Sequence, residues 1–210
     1  MGHGPPDEYI ASLNFDELPT HNGHGRLPAQ SYWRPLVLSE DISLYAPSEA
    51  EDVPASNNNS AATPPNAILT HSNVFTLRMS MYTTLYGPLE TSFEDYFQLI
   101  HFFAQPWEPS QDRPLKITVV GRRYMPKETE NDFVRLEHYY DRPGNFPMFT
   151  ELSMAGFDRL TLATIILTYA DDGTPWPFFL DSILIRFWVK PRETQSMSSS
   201  PSGPPSGPPF

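Results

Sequence analysis

Six histidines are the first place to look for acid–base chemistry, because imidazole titrates near neutral pH. His21 and His24 stand in His21-Asn22-Gly23-His24, a spacing that suits zinc. No cysteine exists in the chain, however, and no further histidine lies close enough in sequence to complete a tetrahedral set. His71, His101 and His138 fall on or beside segments that read as strands, where a single histidine is more often a satisfied structural group. His101, set among Phe102, Phe103 and Trp107, is the one expected to be buried and to act as a base. Arg122-Arg123 and Arg78 offer guanidinium groups that would stabilise an enolate-like oxygen, or else pair with surface carboxylates. Tyr139 adds a phenolic donor. His101, Arg123 and Tyr139 are therefore the candidate catalytic set. Other chemistries lose their usual motifs: the chain has no G-x-S-x-G elbow, no Walker loop and no G-x-G-x-x-G. Glu49, Glu51 and Asp52, like Asp171 and Asp172, sit in turn-like segments, where carboxylates are usually solvated faces rather than a glycosidase pair.

Aromatic residues make up 13% of the chain, more than a plain small core requires. Trp107 stands in Gln105-Pro106-Trp107-Glu108-Pro109 and Trp176 in Thr174-Pro175-Trp176-Pro177, so prolines stiffen both loops. Trp33, Tyr82, Phe103, Trp107 and Trp176 are the expected substrate-contacting rings. Turned outward in a row, such rings stack on sugar faces. Turned inward, they line an apolar pocket for a small molecule. Each ring taken alone could equally do no more than cover the edge of a sandwich.

The elements that must position these groups are short. Two hundred and ten residues suffice for one domain with a sizeable core. The formal charge of −11 argues against nucleic acid and anionic membrane surfaces as partners. No apolar run approaches the roughly 18 residues of a membrane-crossing helix. The 24 prolines, about double average usage, suit short strands joined by turns rather than long helices. Strand patterns appear at Val74 to Tyr82, Leu115 to Val120 (ended by Gly121), Asp132 to Tyr140, Leu160 to Tyr169 and Phe178 to Val189. Asp171-Asp172-Gly173 reads as a hairpin-type turn. Phe93, Tyr96, Phe97, Ile100 and His101 fit helical spacing, but the strand neighbours favour a strand there. The expected fold is an all-β, antiparallel two-sheet sandwich with little helix. A single domain at 10–191 is expected between an unstructured start at 1–9 and a Ser/Gly/Pro tail at 192–210, with a long acidic surface loop at 47–65. No secretory leader is visible, which fits an intracellular protein or a secreted one with its leader removed.

Four short phrases carry a resemblance. They are Asn14-Phe15-Asp16-Glu17-Leu18-Pro19, Pro64-Pro65-Asn66-Ala67, Ala155-Gly156-Phe157-Asp158-Arg159-Leu160 and Phe178-Phe179-Leu180-Asp181-Ser182-Ile183. In this order they resemble jelly-roll domains of the galactose-binding-like type, which host sugar binders, adhesins and enzymes alike. The resemblance implies adjacent first and last strands, bringing Asp16 or Glu17 near Asp181. In carbohydrate-binding modules of this shape, such residues hold a structural calcium with backbone carbonyls, so Asp16, Glu17 and Asp181 are the candidate metal ligands. Alternatively, Asp181 caps a turn.

By overall profile the chain also resembles the small fungal β-sandwich hetero-Diels–Alderases of tropolone–sesquiterpenoid biosynthesis, in length, aromatic content and lack of cysteine or cofactor motifs. That likeness implies a cofactor-independent pericyclase joining a quinone methide to a terpene alkene. Holding the reactants in a near-attack pose would supply on the order of 7–11 kcal/mol. The partner would be an apolar small molecule, and self-association is compatible with either reading. The alternative is a non-catalytic carbohydrate or cell-wall binding module. A closed apolar chamber at one end of the sandwich would favour the enzyme, and a grooved or flat row of rings the module.

Overall fold

The computed structural model describes residues 7–27, 36–46, 49, 66–79, 91–107, 113–123, 133–140 and 150–191. Among them are twelve strands and no helix: β1 (Asp7–Leu13), β2 (His24–Gly25), β3 (Leu36–Leu38), β4 (Ile42–Tyr45), β5 (Ala67–Thr70), β6 (Val74–Met79), β7 (Thr91–Pro106), β8 (Leu115–Arg123), β9 (Phe133–Tyr140), β10 (Thr150–Ser153), β11 (Leu160–Tyr169) and β12 (Phe178–Pro191). The pairings of these strands are antiparallel. The expected tail at 192–210 and nearly all of the 47–65 loop lie outside the described residues.

The pairing separates into two layers. One runs β9-β8-β11-β6-β3; the other runs β2-β4-β5-β12-β7-β10, with β1 alongside β12 beyond the end of β5. Among the described residues a single paired position, Leu160 opposite Phe97, connects the layers. Between them lies one core. Phe75, Leu77, Ile117, Val119, Ile165 and Leu167 of the first layer pack in the same cluster as Leu44, Ile68, Phe97, Leu99, Ile183, Ile185 and Phe187 of the second. Period-two alternation produces this arrangement: in β11, Ala163, Ile165, Leu167 and Tyr169 are buried while Leu162, Thr164, Ile166 and Thr168 face outward. Burying each large apolar side chain contributes about 1.5–3 kcal/mol. The fold is the expected two-sheet jelly roll.

The phrases near the two ends meet, as their order implied. β1 pairs with β12, with Leu13 opposite Ile183. In the turn that follows β1, the Asn66 side-chain amide donates to the carbonyls of Phe15 at 2.9 Å, Leu18 at 2.9 Å and Asp16 at 3.3 Å. The backbone N–H of Asn66 donates in return to Asp16 Oδ1 at 3.2 Å. Asn66 is 1% exposed, so these bonds form inside the protein, where an unmade one is most costly.

Two local expectations are corrected. Gly121 does not end its strand: β8 continues through it to Arg123. The position faces the core, and a Cβ there would lie 2.7 Å from Leu160 Cδ2 and 2.8 Å from Val134 Cγ1. The glycine is thus a close-packing site, not a stop. Asp7, Glu8 and Tyr9, read as part of an unstructured start, form strand opposite Val189, Trp188 and Phe187. Finally, His21 to His24 is a tight reversal, with His21 and His24 bonding each other's backbone and Asn22 and Gly23 at φ 51 and 79. An Asn-Gly pair suits those angles.

Candidate functional site

The long strand β7 carries a half-buried outer surface. Its inward residues Phe97, Leu99, Phe102 and Ala104 are buried, which turns Tyr96, Gln98 and Phe103 to the outer side. On the neighbouring β12, burial of Ile183, Ile185 and Phe187 likewise turns Leu184, Arg186 and Trp188 outward. Register places Gln98 beside Arg186 and Arg186 beside Ile10 of β1. The Tyr96 and Trp188 rings meet at 5.4 Å between centroids, and the Arg159 guanidinium lies 5.7 Å from the Tyr96 ring centre. Arg186 Nε approaches Glu8 Oε1 at 2.9 Å.

A bulge shapes the other end of this surface. Asp181 lies opposite Phe103, Leu184 opposite His101, and Ile185 opposite Leu99, so the two strands slip past each other. Ser182 adopts φ 46, and Asp181 Oδ1 accepts its N–H at 2.6 Å. The bulge lets His101 join the outward residues. His101 Nδ1 lies 3.0 Å from Glu151 Oε1, its ring meets that of Phe103 edge-on at 5.7 Å, and its side chain is 28% exposed. It is therefore not buried among Phe102, Phe103 and Trp107 as expected; Phe102 points to the core on the opposite side.

The result is a strip about 20 Å long down β7, from Tyr96 to Phe103. Trp188 and Tyr96 lie at one end, His101 and Phe103 at the other, with Gln98 and Arg186 between. Aromatic faces interleaved with planar polar groups can stack on a ligand ring and hydrogen-bond its edge at once. Sequence reasoning missed Trp188, Tyr96, Gln98 and Arg186. The alternation in Phe178 to Val189 could have revealed the first and last. The helix-like spacing around Tyr96 obscured the others.

The remaining expected residues lie elsewhere. Trp107 and Trp176 are half-buried and locked together at one end of the sandwich. Trp107 packs on the buried group Tyr45, Ala67, Leu69 and Phe179, and the Trp176 indole N–H donates to the Trp107 carbonyl. The Trp176 ring lies 5.1 Å from that of Tyr169, over which Arg113 stacks at 3.8 Å. Arg113 also grips Asp171 and Asp172 in the hairpin turn, with Nη2 2.7 Å from Asp172 Oδ1. Arg123 donates to the Gly156 carbonyl at 2.8 Å and faces Asp158 at 3.6 Å. Tyr139 is opposite Lys116, at the far end of β8 from Arg123, about 23 Å away along the strand. The Tyr139 hydroxyl donates to Glu137 at 3.1 Å. The Glu137 carboxyl is held below its ordinary range, first by hydrogen bonding to Arg135 and then by Tyr139 and Lys116. Trp33 and Tyr82 lie outside the described residues.

Two of the carboxylate oxygens proposed for calcium already accept hydrogen bonds. Asp16 Oδ1 and Asp181 Oδ1 accept backbone N–H groups, and the three carbonyls of the turn after β1 surround the Asn66 amide. Among the described residues no group of three His, Cys, Asp or Glu side chains gathers for a metal. As arranged, this joint fits an amide donor better than a cation.

Comparisons with protein-family models and with curated proteins each find no match. Among solved structures, the chain is similar to a DUF4465 family protein from Bacteroides caccae, with TM-score 0.51 and 12% identity over 84% of this chain and 98% of that one. It also aligns with TmCBM61, solved in complex with β-1,4-galactotriose, with TM-score 0.33 and 14% identity over 76% of this chain and 90% of that one. The first likeness supports the β-sandwich fold.

Proposed function

We propose that the chain is a non-catalytic glycan-binding module whose ligand lies along the outer face of β7 and β12. The observation that carries this reading is the strip from Trp188 and Tyr96 to His101 and Phe103, on a sheet face rather than around a closed chamber. Sugar rings offer an apolar face to indole and phenol, while Gln98, Arg186 and Glu151 present donors and acceptors suited to hydroxyl groups. The pericyclase expected from the chain's profile asks His101, Arg123 and Tyr139 to surround one substrate. Arg123 and Tyr139 stand at opposite ends of β8, and Trp107 and Trp176 spend their surfaces on the core and on each other. The geometry therefore supports binding better than cycloaddition.

Calorimetric titration with a panel of soluble plant and microbial polysaccharides, beside an apolar fluorescent probe, tests the reading. Glycan binding that Trp188→Ala abolishes is expected. Tight binding of the apolar probe with no response to any glycan would overturn it.

A further inference from the structure

We infer that β9 is an interface strand, along which a second copy of this chain extends the sheet by antiparallel pairing. This joint is independent of what the β7–β12 face binds. Among the described residues β9 pairs with β8 alone, so it borders its layer. Its inward residues Val134, Leu136 and His138 are only half-buried, although Gly121, Val119 and Ile117 beside them on β8 are buried. Its outward residues Phe133 and Tyr139 are 61% and 48% exposed. Border strands of monomers are usually guarded by lysine, proline or a bulge. Phe133 to Tyr140 contains neither lysine nor proline, and its register with β8 runs unbroken.

The strand is complementary to itself in one register. With Leu136 opposite its own copy, Arg135 meets the partner's Glu137, Phe133 meets the partner's Tyr139 and Val134 meets the partner's His138. Arg135 and Glu137 already pair within the strand, and Lys116 lies 3.6 Å from Glu137. Across the joint these groups alternate in sign, so no existing ion pair has to open. Opposite charges and aromatic rings directly across a ladder stabilise it, and like charges there destabilise it. Centring the pair on Arg135 or on Glu137 instead would set that residue against its own charge. A slip of one residue would put inward side chains opposite outward ones. The two-fold axis at Leu136 makes the contact isologous, as in a symmetric dimer. That axis is perpendicular to the sheet, so both second layers stay on one side and both β7–β12 faces point the same way. Where that face binds glycan, one polymer would be held at two points.

Sedimentation velocity on the full chain tests the joint, at about 0.15 M salt, where a Debye length of about 8 Å screens the net acidity of two copies. An equilibrium that moves from monomer to dimer as concentration rises is expected. Arg135→Glu sets carboxylates against carboxylates across the joint, and Glu137→Arg sets guanidinium groups against guanidinium groups. Each alone should weaken association by about tenfold or more. Mixed in equal amounts, the two variants again face opposite charges at both positions, and the dimer should return. Both residues lie on the exposed face of β9, and recovery on mixing separates a broken joint from a misfolded chain. A chain that stays monomeric up to about 1 mM, with another of its own segments or nothing along β9, would overturn the inference. So would a dimer that neither substitution weakens, or a pair of variants that stays monomeric when mixed.

Discussion

The side-chain amide of Asn66 donates to the carbonyl oxygen of Phe15 at 2.9 Å, joining positions 51 residues apart in sequence. The same amide reaches Asp16 and Leu18, so one side chain closes the turn that leads out of β1. Asn66→Ala strands those carbonyls in the interior. A loss of about 1–3 kcal/mol is expected, read as a lower urea midpoint at constant slope. An unmoved midpoint would mean that the turn holds itself.

The same joint bears on the expected calcium. Calcium needs hard oxygens, and Asp16 Oδ1, Asp181 Oδ1 and the Phe15, Asp16 and Leu18 carbonyls accept N–H groups. Dialysis against a chelator should therefore leave the melting temperature where it was. A fall of several degrees that added calcium reverses would show that a cation displaces Asn66 from its carbonyls in solution.

At Gly121 the first atom of any side chain collides with Leu160 and Val134. Gly121→Ala should destabilise the protein by overpacking, by about 1–3 kcal/mol, despite alanine's smaller backbone entropy cost. Paired with Leu160→Ala, which opens space at that contact, the alanine should cost less than it does alone. A double-mutant cycle in urea measures the difference, and strict additivity would refute the contact.

The layers were legible because burial on one side of a sheet imposes period two. The strand pattern at Asp132 to Tyr140 alternates as expected, with Phe133, Arg135, Glu137 and Tyr139 on the exposed face of β9. The joining of the end phrases was legible for a weaker reason, resemblance, and its physical content is the Asn66 bonding that no pattern in one dimension discloses. The candidate strip was largely hidden. The register shifts on both sides of Leu184, the second leaving Ile100 without an opposite residue, so alternation alone misassigns His101, and only pairing brings Trp188 to Tyr96. Tryptophans between prolines drew attention as substrate-contacting rings, yet Trp107 and Trp176 serve the packing of one end of the sandwich.

In the hairpin turn after β11, the Asp172 carboxyl is pulled from its ordinary 3.8 to about 2, first by the Thr174 backbone N–H, then by the Thr174 hydroxyl and by Arg113. A depressed folded value contributes stability above the unfolded pKa and loses it as pH falls through the folded one. The melting temperature should thus decline between about pH 4 and pH 2, and part of that decline belongs to this residue. Asp172→Asn should narrow the difference between the two ends of that range. Parallel melting curves for the two proteins across the whole interval would remove Asp172 from the account.

Two tryptophans, Trp176 and Trp188, stand in different surroundings. Trp176 donates its indole N–H to the Trp107 carbonyl and packs on Tyr169, whereas Trp188 meets Tyr96 on the open strip. Trp176→Phe keeps a ring but removes the donor, so stability should drop by about 0.5–1.5 kcal/mol with glycan affinity unchanged. Trp188→Ala removes a stacking face, and about 2 kcal/mol of binding should go with it, a cost typical of an anchoring tryptophan. Urea titration and calorimetry on both variants measure the two effects side by side. If glycan affinity followed Trp176 and ignored Trp188, the ligand would have to lie at the end of the sandwich, beside Trp107, and the strip along β7 would be an ordinary solvent face.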